Sequence, residues 1–240
     1  MFQKFKPPQQ DNPVQIWASL RIRWWIAITF IVGSAFFTLG ASAALFPQFF
    51  AQDKTALILT DSFYFLGAIL FTIGIYMQIL EAINVNRKEF RWWAWQPQRI
   101  SFLSPLVLLV GSVLFNVETT FALVEGLDWF KKNLLVSLPS LVGAVCFVIS
   151  CYMDFARVSQ KPWAWKPRYK EWWVHLLNLF GSIGFLVGAS FGFEFPGLSV
   201  PEDALVVKAF YLQGSIFFLI ASYLMLPVIF SEEEVRLEGG

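Results

Sequence analysis

The chain is short of the groups that most active sites are built from. It has one histidine and two cysteines in 240 residues, and only 15% of its residues are charged. A single histidine excludes a bis-His haem site made by this chain alone, and no His/Cys spacing fits a zinc centre. Cys146 and Cys151 fall five positions apart on one expected helix, so they cannot bridge each other; small apolar filler is their plainest role. A formal charge of +1 gives no net field to attract nucleic acid. Phosphate loops, nucleophile elbows, metalloprotease helices and dinucleotide fingerprints are all missing from the sequence. No catalytic residue and no metal ligand is therefore expected, and no soluble-type active site.

What the chain does have is apolar length. It is 57% hydrophobic, with 27 Phe and 11 Trp, and its mean hydropathy is +0.58. A bilayer span takes about 20 apolar residues. Six such runs are expected, at 24–46, 62–83, 102–124, 134–156, 172–193 and 208–230. The fold class is thus all-α: a six-helix polytopic membrane protein.

Each run carries one copy of the pattern Gly-[Ser/Ala]-x-x-Phe. The copies are Gly33 to Phe37, Gly67 to Phe71, Gly111 to Phe115, Gly143 to Phe147, Gly181 to Phe185 and Gly214 to Phe218. A small residue lets a second helix come close, and the aromatic lies one turn on along the same face. These glycines are the expected helix-packing positions.

The runs also repeat in pairs. A shift of 78 carries Trp17 to Trp95, Trp24 to Phe102 and Gly33 to Gly111; a further 70 carries them to Trp165, Trp172 and Gly181. The even runs align by shifts of 76 and 71, matching Gly67, Gly143 and Gly214, and also Tyr76, Tyr152 and Tyr223. The linker Trp93-Ala94-Trp95-Gln96-Pro97 returns as Trp163-Ala164-Trp165-Lys166-Pro167. Repeats of this kind mark a repeated structural unit. One membrane domain is expected over 1–240, with hairpins at 14–86, 91–157 and 162–230 and a solvated acidic tail at 231–240. Three such units close as a pseudo-threefold ring or pack as an irregular bundle; the sequence does not choose.

Charge sets the orientation. All the Lys and Arg fall on the side of the N-terminus, the second and fourth loops and the tail, except Lys54, Lys131, Lys132 and Lys208. By the positive-inside rule both termini are cytoplasmic. Tryptophan follows the bases: Trp24, Trp25, Trp93, Trp95, Trp163, Trp165, Trp172 and Trp173 are expected as interface anchors, with Trp129 alone on the other side. The first run has basic residues before it and Ala41-Ser42-Ala43 near its end, a loose fit to a cleavage site. Its length and its alignment with later runs read it as a retained span.

The unit resembles the YrhK-like domain, a bacterial two-span module. The resemblance rests on Trp172-Trp173-x-His175, Gly181-Ser182 and Gly214-Ser215 in the third hairpin, with weaker matches in the first two. The second hairpin departs from the pattern at Pro105 and Glu118. The resemblance implies a bacterial inner-membrane setting and no activity.

Two places are candidates for chemistry. Glu118 lies seven residues after Gly111, on the packing face, where the other hairpins have Gly40 and Gly188. An ionisable group inside a span is by default a functional-site hypothesis. With Asn116, Thr119 and Thr120 it forms an expected polar site about two turns from the outer surface, for a proton or a cation. The alternatives are a neutral Glu bonded to a neighbouring helix, or a span that ends early and leaves it wet. His175, one turn past the Trp pair with Asn178 on the same face, is a candidate ligand for pigment or haem; its bland role is interfacial. Asp154 with Arg157, and Glu81, read as interfacial ion pairs.

The function expected is a non-catalytic structural, assembly or accessory membrane subunit. The rivals are a small solute or ion transporter or channel using Glu118, and a pigment- or haem-binding accessory protein. Lipid is the expected ligand and no cofactor is expected. The expected partners are the bilayer and other membrane subunits or a second copy.

Overall fold

The structure is a computed structural model that describes residues 13–50, 54–85, 87, 89–197 and 201–238. Side chains at 13–20, 54–57, 201–203 and 231–238 lie outside that description, that of Trp17 among them. Among the described residues the chain is almost wholly helical. The helices are α1 (Pro13–Leu45), α2 (Lys54–Asn84), α3 (Ile100–Ala122), the one-turn α4 (Trp129–Lys132), α5 (Leu138–Ser159), α6 (Lys170–Ser190) and α7 (Pro201–Glu238). Six helical segments are long and apolar enough to cross a membrane: Arg21–Leu45, Ile58–Asn84, Ile100–Ala122, Trp129–Ser159, Lys170–Ser190 and Ala204–Phe230.

Helices α1, α2 and α7 begin at Pro13, Lys54 and Pro201, ahead of the expected 24, 62 and 208, and two further differences have a readable cause. The fourth segment starts earlier, at Trp129. The Asp128 side chain accepts a hydrogen bond from the Lys131 backbone N–H, which caps α4. That bond holds the Asp128 carboxyl below the usual carboxylate range. A π turn, Asn133–Ser137, then joins α4 to α5. Pro139 follows at the start of α5, and a proline ring crowds the carbonyl four residues back; the wider turn makes room for it. The second difference is at the C-terminus: α7 runs on to Glu238, so most of the acidic tail continues the last helix.

The helices form a closed ring. Each long helix packs on its sequence neighbour, and α1 packs on α7. Both Trp-rich connections stay out of helix, at 91–99 and 160–169, where Pro97, Pro162 and Pro167 break it. Gln160, in the left-handed conformation, ends α5. These connections are pinned to the helices rather than free. Asn84 Nδ2 donates to the Arg91 carbonyl at 2.8 Å, and Tyr76 OH donates to the Trp92 carbonyl at 3.1 Å.

Outside and inside of the ring differ in kind. Val32, Ile69, Ile73, Val110, Val113, Val145, Ile149, Ile183, Ile216 and Ile220 point outward and are exposed. The glycines, serines and pattern phenylalanines point inward and are buried. A helix apolar on every side is the mark of a membrane span. In lipid there is no hydrophobic gain from burying one apolar face against another, so close packing has to hold the ring.

That packing is done by the repeated pattern. In each helix pair two pattern glycines lie back to back, and each phenylalanine covers the other helix's glycine. A Cβ on Gly111 would stand 2.8 Å from the Gly143 carbonyl oxygen and 2.7 Å from the Phe147 ring. For Gly214 the distances are 2.8 Å to the Gly181 carbonyl and 3.0 Å to Phe185. For Gly33 they are 3.4 Å to the Gly67 carbonyl and 2.9 Å to Phe71. Such spacing leaves no room for a methyl group. Close backbone approach multiplies weak dispersion contacts into the force that replaces hydrophobic burial.

Candidate functional site

The six pattern phenylalanines meet on the ring axis in two layers. One layer is Phe71, Phe147 and Phe218, from the even spans, with centroid separations of 5.5 to 6.5 Å. The other is Phe37, Phe115 and Phe185, with Phe185 at 6.1 Å from Phe37 and 6.0 Å from Phe115. Phe37 to Phe71, Phe115 to Phe147 and Phe185 to Phe218 link the layers at 5.2, 5.0 and 5.6 Å. Most of these contacts are edge-on or tilted, the geometry aromatic quadrupoles favour. The axis is filled at this level.

Against these rings a cavity of about 20 Å³ remains, lined by all six phenylalanines and, toward the end where Lys132 pairs with Glu194, by Tyr64, Glu118, Thr119 and Tyr211. It is large enough for a water-sized guest. Its floor is phenylalanine, and its polar wall is Glu118, Thr119, Tyr64 and Tyr211. Tyr211 OH and Ser140 Oγ are 2.9 Å apart, and Ser140 also stands against the Glu118 carboxyl. The Tyr64 and Tyr211 rings meet edge-on at 6.2 Å. Glu118 Oε2 is sealed from solvent and has no hydrogen-bond partner. Asp61, one turn from Tyr64 on α2, is close enough for its charge to act on Glu118, and it also feels Lys132.

The residue choice at this level follows one size rule. Gly40, Glu118 and Gly188 are matched positions on the odd spans. Tyr64, Ser140 and Tyr211 each lie three residues before the pattern glycine of an even span. Where the odd span has glycine, the even span has tyrosine. A Cβ on Gly40 would stand 3.4 Å from Tyr64 Cδ2, and one on Gly188 would stand 2.7 Å from Tyr211 Cδ1. In the α3/α5 pair the bulk is reversed: a glutamate on the odd span and a serine on the even one. Two phenols and one carboxylate therefore converge on the axis.

The structure separates the residues expected around Glu118. Thr119 lines the same cavity. Asn116 does not: its Nδ2 donates across to Thr72 Oγ1 of α2 at 2.6 Å and to the Ser112 carbonyl at 2.8 Å. There Thr72 and Ser112 share a short hydroxyl contact, so Asn116 fastens α3 to α2. Thr120 is exposed and bonds back to the Asn116 carbonyl at 2.6 Å. Glu118 itself is four residues from the end of α3, one turn rather than the expected two. The residue as a whole is half-buried, but its Oε2 is sealed from solvent and Ser140 of α5 stands against its carboxyl. The sequence expectation missed Tyr64, Ser140, Tyr211 and Asp61. The even-span alignment already holds the first three at one offset from the glycine.

At the Trp-rich end a second polar cluster joins α3 to α5. Ser104 Oγ donates to Asp154 Oδ2 at 2.6 Å, and Ser150 Oγ donates to the Ser104 carbonyl at 2.8 Å. Arg157 Nε pairs with Asp154 Oδ1 at 3.2 Å, and Arg23 pairs with Glu81 at 3.3 Å. His175 lies next to this cluster, within electrostatic reach of Asp154 and Arg157, with Nε2 at 4.0 Å from Glu171. Asn178 is half-buried a turn further in. Among the described residues no group of three or more His, Cys, Asp or Glu is placed to hold a metal.

One expected anchor is not at the surface. Trp172 is fully buried, and its indole N–H donates to the Ala164 carbonyl at 2.9 Å. Trp165 packs on it at 5.1 Å and Phe155 at 6.0 Å. Its matched position, Phe102, is buried in the same way under Trp93 and Trp95, at 6.0 and 5.8 Å. The linker tryptophans thus cap the next span's first aromatic. Trp24, Trp25, Trp93, Trp95, Trp163, Trp165 and Trp173 keep the exposure an interface anchor needs.

No protein-family model, curated protein or solved structure matches this chain, so the YrhK-like resemblance rests on the quoted residues alone.

Proposed function

We infer that the chain is a non-catalytic integral membrane protein that serves as a structural, assembly or accessory subunit. The observation that carries this reading is the axis packed with six interlocking phenylalanines, which favours a rigid scaffold over an open pore. Three tandem hairpins, 14–86, 91–157 and 162–230, would be related by a pseudo-threefold axis through that core. The outward belt of branched aliphatics suits lipid and the spans of other subunits. The basic, Trp-rich end would face the cytoplasm with both termini, by the positive-inside rule. The resemblance to the YrhK-like module would put the protein in a bacterial inner membrane.

Gentle extraction from the native membrane, followed by a native-mass measurement, tests this. A particle far above 27.5 kDa that contains other polypeptides is the expected result. A lone chain, or a pure homo-oligomer with no partner in any mild detergent, would contradict it.

A second reading, a small-ion transporter, is favoured by one feature: the unpartnered carboxylate oxygen of Glu118 beside a cavity. Flux in proteoliposomes tests it, and flux that is equal with and without the protein would rule it out. A pigment or haem would have to bind on the lipid-facing surface near His175, because the axial cavity is far too small for a macrocycle. An absorption spectrum of the protein from its native membrane tests that third reading.

A further inference from the structure

The Trp-rich end of the ring is sealed at two of its three corners between hairpins. Between α2 and α3 the linker tryptophans Trp93 and Trp95 lie on Phe102, at 6.0 and 5.8 Å. Between α5 and α6 Trp165 lies on Trp172 at 5.1 Å, and the Trp172 indole N–H holds the linker by the Ala164 carbonyl. Phe102 and Trp172 are both 0% exposed, whereas their match on α1, Trp24, is 37% exposed. The even spans show the same contrast. Ile83 of α2 and its match on α5, Ser159, are 0% and 1% exposed; the match on α7, Phe230, is 50% exposed. The corner between α7 and α1 has an aromatic floor like the other two, but no lid among the described residues.

The repeat matches Trp17 to the lid tryptophans Trp95 and Trp165. Residue 17, however, belongs to α1, which starts at Pro13. Helices α3 and α6 start only two residues before their buried aromatic, at Ile100 and Lys170, so the residues before them fold back as linker. In α1 the backbone rises about 10 Å from Trp24 to residue 17. That stretch runs past the corner and not across it.

The two sealed corners show what covers such a floor: Trp95-Gln96-Pro97 and Trp165-Lys166-Pro167. The aromatic supplies area in edge-on contact, and the proline keeps the segment out of helix. The order aromatic, Gln or Lys, proline occurs once more in the chain, at Phe5-Lys6-Pro7, ahead of the first span. Residues 1–12 lie outside the described structure. The reach is sufficient. Pro13 stands about 17 Å along α1 from Trp24, and the chain from Phe5 to Pro13 spans up to about 26 Å when extended. Charge is complementary too: the segment carries Lys4 and Lys6, and α7 continues past Phe230 through Glu232, Glu233 and Glu234.

We propose that the N-terminal segment, residues 2–8, folds back along the groove between α1 and α7 and sets Phe5 over Trp24 and Phe230 as the third lid. Each hairpin then enters the ring under an aromatic–proline segment, two held at both ends and one terminal. The lid does not depend on whether the protein is a subunit or a transporter.

The test is photocrosslinking from position 5. p-Benzoylphenylalanine is placed there in the full chain, which is illuminated in its native membrane and in mild detergent. The expected product keeps the monomer mass, and its crosslinked peptide maps to residues 20–28 or 224–232. Trp24→Ala should cut the yield about fivefold, while Trp93→Ala, at a sealed corner, should leave it unchanged. A thermal melt gives a second readout without the photoprobe. Phe5→Ala should lower Tm by about 2–4 °C, and Gln9→Ala should not. Adducts to lipid would overturn the proposal, because Trp24 would then be a bare interface anchor. Adducts to a second copy or to another polypeptide would overturn it as well, since the groove would then take its lid from outside the chain. So would equal yields with and without Trp24, or a Phe5→Ala melt identical to wild type.

Discussion

The α3/α5 pair is built differently from the α1/α2 and α6/α7 pairs, although all three share the same glycine and phenylalanine frame. In the outer two pairs a tyrosine lies over a bare glycine next to the axis. In α3/α5 a glutamate stands beside a serine at the same level. The contrast continues along the helices. Ser104, Ser150 and Asp154 hydrogen-bond between α3 and α5. Between α1 and α2 the described polar link is the Arg23–Glu81 pair at one end. One frame thus tolerates two fillings. The outer two pairs rest chiefly on small residues and aromatics, with Arg23–Glu81 between α1 and α2 and Gln213 Nε2 donating to the Phe180 carbonyl at 3.3 Å between α7 and α6, while the third pair carries buried polar groups that bind α3 to both of its neighbours. Polar groups within spans are expensive, and a frame does not need them to close.

Substitutions can break or sharpen this contrast. The largest effect is expected where all three pairs depend on the same residue. Phe71 touches Phe30, Phe37, Phe147 and Phe218. Phe71→Ala should cost about 3–5 kcal/mol in a reversible detergent unfolding titration, as for other buried aromatics. The lipid-facing Phe180→Ala should cost under about 0.5 kcal/mol.

Next come the glycines. Gly111→Ala meets a backbone carbonyl at 2.8 Å, which cannot step aside, and should cost about 2–3 kcal/mol. Gly33→Ala meets chiefly the Phe71 ring and should cost about 1 kcal/mol. Equal losses at the two sites would mean that the α3/α5 pair is not the tighter one.

Smaller still is the polar fastening at the Trp-rich end. Ser104→Ala removes the donor to Asp154 and should cost about 1 kcal/mol by the same titration. Ser190→Ala, whose hydroxyl bonds only to its own helix, should change stability by under about 0.5 kcal/mol.

Much of the frame was legible in the sequence. Six runs of span length, each with a glycine and a phenylalanine at fixed spacing, specify six helices and one packing face on each. Helical period is local information, so a single chain displays it. The partner across the interface is not local. Nothing in one run says that Gly111 lies against the Gly143 carbonyl, or that the six phenylalanines converge. Trp172 shows the same limit: an indole beside basic residues reads as an anchor until Trp165 and Phe155 are seen to cover it. At the candidate site Glu118 was legible because a charge in a span stands out. Tyr64, Ser140 and Tyr211 were not, because tyrosine and serine are ordinary there. Asn116 was assigned to the wrong neighbourhood, since one residue on a helix turns a side chain by about 100°.

The size reversal next to the axis is the central claim, and a double-mutant cycle tests it most directly. Ser140→Tyr alone forces a ring against the Glu118 side chain, and Glu118→Gly alone leaves a void. Together they give α3/α5 the filling of its two neighbours. Unfolding titrations of the two single variants and the double should show the double losing at least about 1–2 kcal/mol less than the sum of the singles. Strictly additive losses would mean that the two positions do not share one space, and would contradict the account.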